Sequence, residues 1–172
     1  PPQYEIYHKN SLAFRKILSK YSDKVEPFSI DEAFIEYVPL FGSYMEVAQK
    51  IQSEIFNTLG FTVNIGIGPN KLLAKMASDF EKPNKIHTLF KEEIPNKMWP
   101  LPIEELIFLG KSTADKLHSI GIKTVYDIAH TDAGTLTRLL KSHGKQLYDY
   151  SWGIADATLC TEKAAPKSIS NS

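Results

Sequence analysis

Cysteine is nearly missing from this sequence: among 172 residues Cys160 is the only one, which excludes an internal disulfide framework and a multi-cysteine zinc site. The same scarcity suits a reducing compartment, and a cytoplasmic location is expected. Charge of one sign is not in surplus either, since 20 Lys and Arg face 20 Asp and Glu. No global basic field announces a polyanionic partner, so any contact with nucleic acid must use local clusters. No apolar run is long enough to span a bilayer and no signal-peptide pattern occurs, so a soluble chain without a membrane partner is expected. His8, His87, His118, His130 and His143 lack ligand spacing, and none is assigned to metal. There is no internal repeat and no low-complexity tract.

What is present centres on Ser29-Ile30-Asp31-Glu32-Ala33-Phe34-Ile35-Glu36. Two adjacent carboxylates stand between apolar runs, with Val25 and Phe28 before them and Phe34, Ile35, Tyr37 and Val38 after. Negative charges at the tip or edge of a half-buried strand need compensation, and a divalent cation supplies it. A solvated surface turn is the plainer account of the same pair.

Around this stretch, Tyr4, Tyr7, Phe14, Leu18 and Tyr21 keep the three-four spacing of a helical face. Residues 25–38 read as two short strands joined through or near Asp31-Glu32. Ser43 and Glu46 form a capping box for a second helix carrying Val47, Ala48, Ile51, Ile55 and Leu59, which Gly60 ends. Phe61, Val63, Ile65 and Ile67 then alternate as one face of a strand, with Gly66 and Gly68 on the other face, where backbone can approach closely. Asn70 caps a third helix over 71–80.

Pro95, Pro100 and Pro102 predict an extended linker, anchored by Trp99. Beyond it, helical segments are expected at 103–109, 113–120, 125–130, 135–140 and 146–152, with His143-Gly144-Lys145 as a turn between the last two. After Trp152 the pattern fades. Three regions follow: 1–95, 96–157 and a linker at 158–172.

The acidic segment, followed by Val63-Asn64-Ile65-Gly66-Ile67-Gly68 and Asn70-Lys71-Leu72-Leu73-Ala74-Lys75, resembles the palm of a Y-family (UmuC/DinB-like) translesion DNA polymerase. The resemblance runs from about Tyr4 to Trp152. It implies an α+β fold: a partial palm, with a mostly antiparallel sheet covered by helices, then a small all-α helix-hairpin-helix-like thumb. Within that palm, residues 63–68 would lie beside the carboxylate strand. The implied activity is DNA-directed DNA synthesis across damaged template by two-metal nucleotidyl transfer, with primer-template DNA and a deoxynucleoside triphosphate as substrates. By the same resemblance, Asp31 and Glu32 would be catalytic and hold Mg2+, two ions in the complete enzyme, spaced about 3.5 to 4 Å apart.

Other residues take their roles from the same likeness. Lys71, Lys75, Lys82 and Lys85 form a basic cluster opposed by Asp79 and Glu81, and Phe80-Glu81-Lys82-Pro83-Asn84 resembles the family's Lys-Pro segment. Lys82 would meet the β and γ phosphates as a point charge; a solvated helix end is the plainer reading. Lys85 stands where many members have glycine. Leu109-Gly110-Lys111-Ser112 resembles the hairpin of a helix-hairpin-helix, whose backbone N–H groups meet a DNA phosphate. Gly110, Lys111, Ser112 and Lys116 would bind DNA, Ser112 and Asp115 would form a capping box, and Phe108 occupies a position that is glycine in many such motifs.

The family's first catalytic aspartate lies upstream of residues matching Pro1, and the fingers are likewise unmatched. A fragment is therefore expected, inactive by itself, leading towards a further C-terminal domain, with a sliding clamp or recombinase engaged through other regions. An incomplete palm would also expose a sheet edge able to pair with a second copy. Two rivals stand beside this reading: a non-catalytic DNA-binding or partner-binding module, and a nucleotide cyclase, which shares a palm-like sheet with paired acids but has no need of the hairpin.

Overall fold

The capping box at Ser43 forms as its residues dictate: the Ser43 hydroxyl accepts from the Glu46 N–H at 3.3 Å, and the Glu46 carboxylate accepts from the Ser43 N–H at 2.8 Å. This opens one helix of a computed structural model that describes residues 4–160. Two units make up the chain, one running up to Gly60 and rejoined from Thr158, the other Phe61–Ala157.

In the first unit, α1 (Tyr4–Leu18) packs on α2 (Tyr44–Leu59). Val47, Ala48, Ile51 and Ile55 of α2 are buried, each large aliphatic side chain contributing about 1.5–3 kcal/mol. Gly60 ends α2 at φ 77, as its position predicts. The buried face of α1 is Ser11, Ile17 and Leu18, whereas Tyr7 is 57% exposed, so the tyrosine does not belong to the core-facing stripe. At the end of α1, Glu54 accepts from Lys20 and, at 2.7 Å, from the Tyr21 hydroxyl, tying that corner to α2.

Strands β1 (Val25–Pro27) and β2 (Ala33–Ile35) pair antiparallel with Val25 opposite Ile35 and Pro27 opposite Ala33. They are joined through the acidic pair, as the residue pattern predicts. Phe28 and Phe34 meet edge to face at 5.4 Å between centroids. The returning chain is fastened here as well, the Cys160 N–H donating to Glu26 Oε2 at 2.7 Å.

The second unit begins with a parallel pair, β3 (Ile65–Ile67) beside β4 (Ile86–Thr88), with α3 (Lys71–Asp79) as the crossover that parallel pairing requires. The hydrogen-bonded neighbour of β3 is thus β4, a three-residue strand too short to leave a readable pattern, and not the carboxylate strand. Asn70 caps α3, its Oδ1 accepting from the Leu73 N–H at 2.9 Å. Gly66 lies so close to α3 that a Cβ there would stand 1.8 Å from the Ala74 carbonyl oxygen.

Leu72, Leu73 and Met76 of α3 share one core with Leu89, Ile94, Met98, Ile103, Leu117 and Leu147. The proline stretch is therefore packed and not extended: α4 (Ile94–Lys97) carries Pro95 in its first turn, and Ile94 and Met98 are buried. Trp99 does anchor it, donating from Nε1 to the Ser151 carbonyl at 2.9 Å.

Among the described residues four helices follow, α5 (Lys111–Ser119), α6 (Val125–His130), α7 (Ala133–Leu140) and α8 (Ser142–Ser151). Residues 103–105 form only a 3-10 turn before α5. The break between α7 and α8 falls at Lys141 (φ 58), and Gly144 lies inside α8. Gly144 is a contact glycine: a Cβ would meet the Leu136 carbonyl oxygen at 2.1 Å, so its absence lets α8 cross α7 closely. Of the linker expected at 158–172, residues 161–172 lie outside the described residues.

Candidate functional site

The hairpin turn between β1 and β2 is pinned by its backbone. The Phe28 and Ser29 N–H groups both donate to the Glu32 carbonyl, at 2.9 and 3.2 Å. This places Asp31 and Glu32 at the tip. The Ser29 hydroxyl donates to Asp31 Oδ1 at 2.7 Å and lies 3.4 Å from Glu32 Oε2, so both carboxylates converge on one hydroxyl. Such an all-oxygen donor set suits a hard divalent cation. Among the described residues no group of three or more His, Cys, Asp or Glu side chains comes together, so this pair is a partial ligand set and not a cage of its own. Ser29 has no role that its residue type alone announces; its part in the site rests on these two side-chain contacts at spacings of two and three residues.

In the second unit, Asp79 at the end of α3 binds two lysines of the basic cluster. Its Oδ2 accepts from Lys75 Nζ and its Oδ1 from Lys82 Nζ, each at 2.8 Å. Partial burial works against the ionised carboxylate, but the two lysine bonds outweigh it and hold Asp79 below the usual carboxylate range. Lys82 is largely exposed and Lys75 is mostly covered, with side-chain exposures of 60% and 16%. In the loop beyond, Lys85 pairs with Glu81 at 3.1 Å, and Asn84 takes the left-handed conformation, φ 59. Asparagine tolerates that region better than most residues, so lysine at 85 is compatible with the turn.

The hairpin before α5 departs from expectation in a telling way. No Ser112–Asp115 capping box forms: α5 opens at Lys111 with Gly110 as N-cap and no side-chain cap bond. Gly110, Lys111, Ser112 and Lys116 thus gather at one helix start and its first turns, where uncapped N–H groups and the positive end of the dipole favour an anion. Phe108, standing at the glycine position of similar hairpins, keeps the glycine-like backbone at φ 66, and its ring packs against Tyr150 at 6.2 Å between centroids.

Residues 1–79 match the impB/mucB/samB family, and residues 91–122 match the IMS family HHH motif. DNA polymerase IV of Clostridium acetobutylicum is 43% identical across 99% of this chain, which covers 44% of that protein's length. DNA polymerase IV 1 of Bacillus subtilis is 41% identical across 100% of the chain. The crystal structure of a DinB family error-prone DNA polymerase from Sulfolobus solfataricus superimposes with a TM-score of 0.82 at 29% identity, over 92% of this chain and 49% of that one. The chain belongs to the Y family of DNA polymerases. Its fold is accordingly that family's α+β palm with a helix-hairpin-helix thumb, here with one strand pair antiparallel and one parallel. The chain spans less than half the length of the curated relatives it matches. No helix among the described residues is long and apolar enough to cross a membrane.

Proposed function

We propose that this Y-family chain supplies palm and thumb elements to a DNA-directed DNA polymerase that extends a primer 3′ end across damaged template, in the translesion branch of DNA repair and the SOS response. The observation that carries the reading is the hairpin tip, where Asp31 and Glu32 converge on the Ser29 hydroxyl. These two carboxylates would hold Mg2+, two ions in the complete enzyme. When bound, Mg2+ lowers the pKa of the primer hydroxyl and neutralises charge on the reacting phosphates.

The chain's other residues bind and orient. Lys82 offers an exposed ammonium to the β and γ phosphates of a deoxynucleoside triphosphate. Gly110, Lys111 and Ser112 present the α5 N-terminus to a phosphate of primer-template DNA, and Lys111 and Lys116 track the backbone without reading sequence. Functionally, residues 1–95 carry the chemistry and 96–157 the duplex. A cytoplasmic setting, and a sliding clamp or recombinase as partner, complete the reading.

Primer extension with Mg2+ on undamaged and abasic templates tests it, comparing this chain with a longer protein that spans the relatives' full length. Extension is expected only from the longer protein, because two carboxylates are an incomplete ligand set, and Asp31→Ala or Glu32→Ala should abolish it. Duplex binding by the longer protein with no extension would instead make this a DNA-binding module.

A further inference from the structure

A carboxylate at the C-terminal end of a helix faces the negative end of the dipole, and Asp79 is the last residue of α3. It is also partly buried, so its position is unfavourable on two counts unless cations surround it. Two do, and they differ. Lys75 sits one helical turn earlier on α3, mostly covered, and binds Oδ2. Lys82 comes from the loop, is mostly exposed, and binds Oδ1. One oxygen therefore serves a fixed lysine and the other a lysine free to reach solvent.

We propose that Asp79 is a built-in competitor of the triphosphate and that Lys75 sets how hard it competes. Without nucleotide, Lys82 rests on Asp79. When a triphosphate arrives, Lys82 exchanges the Asp79 carboxylate for a phosphate oxygen, and Asp79 remains ionised because Lys75 still neutralises it. Lys75 and Asp79 are thus positioning residues that act through Lys82. The exchange rests on the reading of Lys82 as a triphosphate ligand. Its consequence is weakened ground-state binding of nucleotide, by the few-fold that an exposed ion pair represents.

Calorimetric titration of the chain with inorganic tripolyphosphate separates the roles. Asp79→Asn should tighten binding about two- to five-fold, since an exposed pair no longer has to be broken. Lys75→Met should weaken it by a similar factor, because Asp79 is left with Lys82 alone and holds it harder. The double variant should bind as tightly as Asp79→Asn alone, because Lys75 acts only through Asp79. Lys85→Met removes the same charge from the loop that carries Lys82, but Lys85 pairs with Glu81. It should therefore weaken binding less than Lys75→Met, although Lys85 is the more exposed side chain. A merely structural network would make Asp79→Asn and Lys75→Met weaken binding alike.

Asp79→Asn that binds no tighter, in a chain where Lys82→Met abolishes binding, overturns the exchange and leaves Lys82 as a triphosphate ligand. Lys82→Met that binds as the parent does removes the Lys82 reading itself. Should Asp79→Asn fail to fold, Lys75→Met decides alone: unchanged or tighter binding refutes the proposal.

Discussion

Gly66→Ala tests how the lysine helix is held in place. A Cβ at residue 66 would stand 1.8 Å from the Ala74 carbonyl oxygen and 2.4 Å from the Ser78 nitrogen, whereas ordinary contact begins at 3.4 Å. Both obstacles are backbone atoms of α3, so no side chain can swing aside. The helix must withdraw from β3 by roughly 1.6 Å, or β3 must buckle. Gaps of about 0.5–1 Å already forfeit a quarter to a half of each dispersion contact. Since α3 buries Leu72, Leu73, Met76 and Ala77, the loss reaches the upper end of the overpacking range, about 3 kcal/mol. For a unit of this size that is a fall of roughly 12–24 °C in melting temperature. Urea denaturation followed by circular dichroism measures it, with a lower midpoint and an unchanged slope expected. A change smaller than about 0.5 kcal/mol would mean that α3 yields without loss and that the close approach of Gly66 does not fix the helix.

Gly110→Ala probes the hairpin from the other side: a Cβ at Gly110 has nothing within 4 Å, so the fold does not require glycine there, yet a methyl would obstruct a phosphate approaching the α5 N-terminus. Stability should be unchanged while duplex binding weakens; equal DNA affinity in a fluorescence anisotropy titration would exclude that helix start as the phosphate contact. Tyr21 should ionise late. Burial first, then the Glu54 carboxylate, push its hydroxyl up to about 12 from 10.0, so this group's contribution to stability is complete below pH 10.0 and is lost as pH rises towards about 12. Glu54→Gln should lower the tyrosinate midpoint without restoring the ordinary value, because burial remains. Ultraviolet titration against a Tyr21→Phe control reads the shift, and an unmoved midpoint would remove Glu54 as a cause.

Much of the first unit was legible because its signals are local. The capping box at Ser43 and Glu46, the stripe from Val47 to Ile55 and the stop at Gly60 each depend on residues within a few positions of one another. The same holds for Asn70 as the cap of α3 and for residues 125–130 as a helix. Where reading failed, a residue had two meanings that only packing separates. Gly144 looks like a turn glycine in sequence and serves as a helix-crossing glycine in space. Pro95, Pro100 and Pro102 look like a linker, yet Ile94, Met98 and Ile103 beside them belong to the core. Ser112 and Asp115 have capping-box spacing, but α5 starts one residue before Ser112, so the serine lies within the helix.

The residues alone carry the chemistry on offer: adjacent carboxylates between apolar runs, a lysine cluster, a glycine hairpin, and the family that holds them in this order. Side-chain type and short spacing are covalent facts, and they survive without a fold. The pairings come from folding. Ser29 beneath both carboxylates, Asp79 shared between Lys75 and Lys82, β4 beside β3 and Phe108 in a glycine's conformation all depend on where the chain turns. Those turns are set by the burial of α2 and α3 against their neighbours, a sum over many weak and non-directional contacts that no single residue announces.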